Sequence, residues 1–114
     1  MFDFQDGNGP VPAKRHINPD GSEGGWIADT AKVAKTAEVS GYAQVYGDAK
    51  VSGNAWVSGY ARVYGNARVY GNALVDGDAS VSGNAWVYGD ALVFGNAKVD
   101  GDTNKQGLNN ETTN

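Results

Sequence analysis

Ala61-Arg62-Val63-Tyr64-Gly65-Asn66-Ala67-Arg68-Val69-Tyr70-Gly71-Asn72 is one six-residue sentence written twice, and the same sentence runs outward in both directions from Ala31 to Asp102. Alanine recurs every six residues from Ala31 to Ala97, valine two places after each from Val33 to Val99, and glycine at every sixth position from Gly41 to Gly101. Ala-x-Val-x alternates inward and variable residues, the period of a strand with one buried face. Gly-Asn, Gly-Asp or Gly-Tyr then supplies a corner from residues that tolerate left-handed backbone. Each unit presents the same inward residues in the same order, so the chain turns the same way each time and hairpins are excluded. A short fixed period of this kind predicts a single-stranded parallel β-helix. Three units close a triangular coil of eighteen residues, coils stack at about 4.8 Å, and the repeat supplies about four of them.

Three segments follow: an irregular leader and docking arm over 1–25, an all-β triangular prism over 26–102, and a tail over 103–114 without the pattern, which predicts disorder. Phe2 and Phe4 lie on the polar leader and call for an apolar surface to dock on. Lys14, Arg15 and His16 read as a solvated loop. Trp26 and Ile27 open the ordered part, and the reading places them as the end cap over the first coil, where apolar core and strand edges must both be hidden. Lys35 stands where later units have glycine, so the first corner must differ.

At 114 residues the chain is a single domain. The net charge of −4 and a pI near 4.7 argue against general nucleic-acid binding, which needs a clustered positive surface. Cysteine is absent, so disulfides and thiolate metal sites are excluded. Neither a signal peptide nor a membrane span is expected, and the default location is the cytoplasm. Alanine and valine alone make a lean core. Backbone bonding between coils and association between chains through the outer faces are expected to supply the rest.

The spacing from each valine to an alanine four places on, as from Val33 to Ala37 and Val39 to Ala43, resembles the hexapeptide-repeat, left-handed β-helix family over about two thirds of the chain. The resemblance implies left-handed coils and a homotrimer. Many members of the family transfer acyl groups with a histidine base between subunits. Glycine here comes two places after the aliphatic residue rather than directly after it. The segment Gly-Gly-Trp-Ile-Ala-Asp-Thr-Ala is similar to short repeat proteins of bacteria and phages, which implies a place in the bacterial cytoplasm or on a virion.

Sorting the variable positions by eighteens yields three faces. The first carries Glu38, Trp56, Leu74 and Leu92, with Ser40, Ser58, Asp76 and Phe94 beside them. The second carries Lys32, Lys50, Arg68 and Trp86, beside Ala34, Ser52, Tyr70 and Tyr88. The third carries Gln44, Arg62, Ser80 and Lys98, beside Tyr46, Tyr64, Ser82 and Asp100. Trp56, Leu74, Leu92 and Phe94 predict an apolar exterior strip, which marks an interface. Paired with Trp86, Tyr88 and Tyr70 of another copy, it closes a trimer by a heterologous contact. The alternative is that the Phe2 and Phe4 arm covers the strip within one chain. Lys32, Lys50 and Arg68 either splay into water or hold a small anion, a nucleotide or an acidic host protein. His16 is the only histidine and lies outside the coils, so no catalytic residue is assigned. Asp48, Asp78, Asp90 and Asp102 sit on different edges and form no metal cage. The expected function is therefore a non-enzymatic structural or protein-interaction module without cofactor. An acyltransferase and an anion-binding protein stand as alternatives.

Overall fold

The computed structural model describes residues 1–100 together with Asn104–Gln106 and Asn109–Asn110. The leader contains β1 (Phe2–Asp3), β2 (Pro10–Val11) and β3 (Ala13–Ile17), and β4 (Glu23–Ala28) enters the coils. A two-residue strand then recurs every six residues: β5 (Lys32–Val33), β6 (Glu38–Val39), β7 (Gln44–Val45), β8 (Lys50–Val51), β9 (Trp56–Val57), β10 (Arg62–Val63), β11 (Arg68–Val69), β12 (Leu74–Val75) and β13 (Ser80–Val81). After these come the longer β14 (Trp86–Tyr88), then β15 (Leu92–Val93), β16 (Lys98–Val99), β17 (Asn104–Gln106) and β18 (Asn109–Asn110). Every third strand stacks in parallel on the last, so β6, β9, β12, β15 and β18 make the first face, β5, β8, β11, β14 and β17 the second, and β4, β7, β10, β13 and β16 the third. The chain is thus a parallel β-solenoid built from the eighteen-residue coil. Registers such as Lys50↔Arg68, Trp56↔Leu74 and Gln44↔Arg62 are the predicted columns.

Inside, the alanines from Ala37 to Ala97 and the valines from Val39 to Val99 are all buried in one continuous core. The corners follow from the glycine. At the corner after Val39, Gly41 has φ of 63° and the Ala43 N–H returns to Ser40 O at 3.2 Å. Positive φ at the first central residue is the type II′ arrangement, which only glycine adopts without strain. In the first coil, Lys35 avoids positive φ and its corner closes through Ala37 N–H on Ala34 O at 3.1 Å. The Thr36 hydroxyl then donates to Gly53 O, a bond that the backbone N–H of Asn54 makes to Gly71 O one coil later. The first corner differs as expected, and a threonine side chain makes up the missing donor.

Three expectations need correction. The leader over 1–25 is not irregular: β1 pairs antiparallel with β2, β3 pairs antiparallel with β4, and β4 joins the third face from Glu23. Trp26 is not an end cap. It pairs with Gln44 and so points outward, whereas its neighbour Ile27 points into the core in register with Val45. In the segment expected to be disordered, β17 pairs with β14 and β18 with β15, so the ladder continues there. The remainder of that segment lies outside the described residues.

The actual end cap comes from the leader. On the third face, β3 covers the edge of β4. On the first face, β6 has no strand above it, and two side chains stand in for one. Val39 N–H donates to Asn18 Oδ1 at 2.9 Å, and His16 Nε2 meets Ala37 O at 2.9 Å. Because Ala37 O can only accept, Nε2 carries the hydrogen. Gly24 and Gly25 let β4 cross this corner, since a Cβ on them would stand 1.7 Å from Val39 O and 2.0 Å from Ala43 O.

Candidate interaction faces

The height of one coil sets the spacing of whatever stands in a column, and aromatic rings exploit it. Tyr46 stacks on Tyr64 at 4.9 Å, Tyr70 on Tyr88 at 5.1 Å and Tyr42 on Tyr60 at 5.2 Å, all nearly parallel. Offset-stacked rings at this separation are favourable, so the stacked coil and the ring pairs reinforce each other.

On the first face the registers Trp56↔Leu74 and Leu74↔Leu92 bring the predicted strip together. Trp56 is 49% exposed, and Leu74, Leu92 and Phe94 are half-buried. Beside them Ser58 Oγ donates to Asp76 Oδ1 at 3.2 Å, so a polar column flanks the apolar one. The leader does not cover this strip. Phe4 is 1% exposed because it stacks on Tyr46 at 4.7 Å, while Phe2 stacks on Trp26 at 4.7 Å, and both rings belong to the third face. The apolar docking surface that Phe2 and Phe4 call for is therefore the Tyr46 and Trp26 side of the prism, and cover of Trp56 by the arm is excluded. Burial under Phe4 pushes the Tyr46 hydroxyl above the ordinary tyrosine range, although the nearby Arg62 guanidinium works against the shift.

The second face holds Lys32, Lys50, Arg68 and Trp86 in one ladder. Arg68 is not a bare cation in this row. Its guanidinium lies over the Trp86 ring at 5.6 Å, and Tyr70 meets the same ring edge-on at 6.3 Å. Lys32 and Lys50 are exposed and have no acidic partner among the described residues. The arrangement can therefore present an aromatic patch at one end of the face and two lysines at the other.

His16 lies half-buried with its Nε2 on the Ala37 carbonyl, so its place in the structure is that of a cap. Sequence reasoning passed over Asn18, His16 as a cap, and the exposed Tyr42 and Tyr60 pair. The Asn-Pro-Asp-Gly turn at 18–21 was the available signal for the first of these.

Comparison with known proteins adds one finding: the YdcK beta solenoid repeat model matches residues 43–59, 61–77 and 67–89. No curated protein and no solved structure matches the chain. The match falls wholly within the stacked coils, and with the three parallel ladders it makes this chain a β-solenoid repeat protein.

Proposed function

We propose that the chain is a non-enzymatic structural and protein-interaction module that assembles as a homotrimer. The observation that supports this is the ladder Trp56, Leu74 and Leu92, joined by Phe94, which the leader does not cover. Apolar area in a contiguous strip is costly in water and is recovered by contact with another surface. The patch that fits it is Trp86, Tyr88 and Tyr70 of the next copy, because two unlike faces of one prism pair head to tail and close around a threefold axis. The reading carries with it the hexapeptide-repeat type, a bacterial or phage setting in the cytoplasm or on a virion, and the absence of a cofactor. The acyltransferase alternative is disfavoured by the role of His16 as a cap.

Mass in solution tests the assembly. Trp56→Asp combined with Leu74→Asp should turn a trimer into a monomer that keeps the β-rich circular dichroism of the parent. An unchanged oligomer mass would remove the strip as the interface. A second reading rests on Lys32 and Lys50, which lack acidic partners among the described residues and could hold a small anion beside Arg68 and the Tyr70 and Tyr88 stack. Titration with a nucleotide while following Trp86 fluorescence tests that reading, and a flat response would reject it.

A further inference from the structure

The two ends of the ladder that the leader closes make the one it leaves open conspicuous. Strand β3 covers the third face, and Asn18 and His16 cover the first. On the second face β5 has β8 as its single neighbour. Val33 and Ala31 stand one unit before Val39 and Ala37, yet among the described residues no side chain meets the Val33 N–H or the Ala31 carbonyl as Asn18 and His16 meet their counterparts. Val33 is also half-buried, whereas Val51 directly beneath it is 1% exposed. Both the hydrogen-bonding edge and the apolar core are therefore incomplete at the same place.

A concavity of about 680 Å³ lies over that place, with Ile27, Ala31 and Val33 among its lining residues. Its size falls within the range of clefts that hold ligands, about 300–1,000 Å³. Lys14 and Lys32 also line it, against the single carboxylate of Asp29, while Arg15 at its margin is already paired with Glu23 Oε1 at 3.9 Å. Lys14 pairs with Ile27 across the β3–β4 ribbon, so it lies on the side of the ribbon that faces the core end. Lys32 continues into Lys50 below, and the like charges of that pair favour an anionic neighbour.

We infer that the open edge of β5 accepts an extended acidic segment of a partner protein, which adds as a further strand over Lys32–Val33. Backbone groups of the segment pair with the Val33 N–H and the adjoining carbonyls, a mode in which main-chain bonds supply affinity and alternate side chains supply specificity. An inward apolar side chain of the segment covers Val33 and Ile27. An outward carboxylate sits over Lys32, and a carboxylate at the end of the segment nearest β3 meets Lys14 on the side facing the core end. The inference does not rest on trimer assembly, which uses Trp56, Leu74 and Trp86 further along the prism.

The test uses the full chain and a labelled peptide, acetyl-Asp-Val-Glu-Val-Asp-amide, followed by fluorescence anisotropy and by amide exchange. The peptide should bind and slow exchange at Val33 by about tenfold or more at saturation while leaving Val57 unchanged. The same peptide with lysine at its acidic positions should not bind. Lys14→Glu with Lys32→Glu changes only exposed side chains, and it should weaken the acidic peptide by about tenfold or more. Val33→Pro removes the N–H and should abolish binding, with the charge reversal deciding the matter if that variant fails to fold. Absence of binding at millimolar peptide, binding without protection of Val33, or binding indifferent to charge reversal would each overturn the inference. So would protection of Val33 that rises with protein concentration alone, since a second copy would then occupy the edge.

Discussion

Asn18 is a side chain doing the work of a strand, and its removal measures what closing a ladder is worth. Its Oδ1 accepts from Val39 N–H at 2.9 Å, its Nδ2 donates to Ser22 Oγ at 3.3 Å, and the residue is 3% exposed. Asn18→Ala leaves a buried backbone donor without a partner, which costs about 1–3 kcal/mol. The Ser22 contact is long and adds little. A loss of about 2 kcal/mol corresponds to roughly 25-fold more frequent opening at the first coil. Amide exchange read residue by residue is the assay. Val39 should exchange faster by about that factor, while Val63, two units into the regular ladder of the third face, should change only by the smaller global effect. Ser22→Ala removes the Nδ2 contact and the exposed Ser22 Oγ bond to Asp20 but spares Oδ1, and it should leave Val39 protected. Equal acceleration at Val39 and Val63, or a Ser22→Ala effect as large as that of Asn18→Ala, would refute the reasoning and make Asn18 a loop residue rather than a cap.

Gly59→Ala should cost about 3 kcal/mol in chemical denaturation, because φ is +66° and a Cβ would stand 2.9 Å from Gly77 N and O; Gly21→Ala, at +89° with open space around it, should cost only about 1. Similar losses for the two would show that close stacking of the corners is unimportant. Phe4→Ala removes a ring that is 1% exposed, and the arm should detach rather than the core collapse, seen as faster proteolysis within 1–12 and a Tyr46 titration closer to ordinary tyrosine. A response confined to Trp56 emission would instead place the arm on the first face. The Tyr46 pKa is raised in the fold, so the folded state retains its proton more firmly than the unfolded chain. The corresponding stability is present below the ordinary tyrosine value near 10 and is lost as pH rises through the higher folded value. Tyrosinate absorbance and arm proteolysis should therefore rise together in strong alkali, and proteolysis that stays flat would break the link.

Within the coils, almost everything about placement was legible beforehand. A slip of one residue would expose every valine, so burial fixes the inward and outward positions of each unit, and three units to the triangular coil then fix the columns. For that reason the columns Lys32, Lys50, Arg68 and Trp56, Leu74, Leu92 could be written down by counting eighteens. What the columns do with each other was less accessible. Arg68 stands over Trp86 because the guanidinium reaches one coil along the face to an aromatic ring, a pairing that like-charge counting on Lys32 and Lys50 obscures.

The repeat by itself determined the prism, its three faces, its corners and the list of residues on its exterior, because each unit repeats the local instruction that its neighbour also needs. Only the tertiary structure decided where the leader goes. Nothing in residues 1–25 repeats, so their positions depend on complementarity to groups far along the chain: Asn18 to the Val39 N–H, His16 to the Ala37 carbonyl, Phe4 to the Tyr46 ring and Phe2 to the Trp26 ring. Those contacts close two ends of the ladder and cover the Trp26 and Tyr46 part of the third face. Among the described residues, they leave the Trp56 strip and the edge of Lys32–Val33 to face the outside.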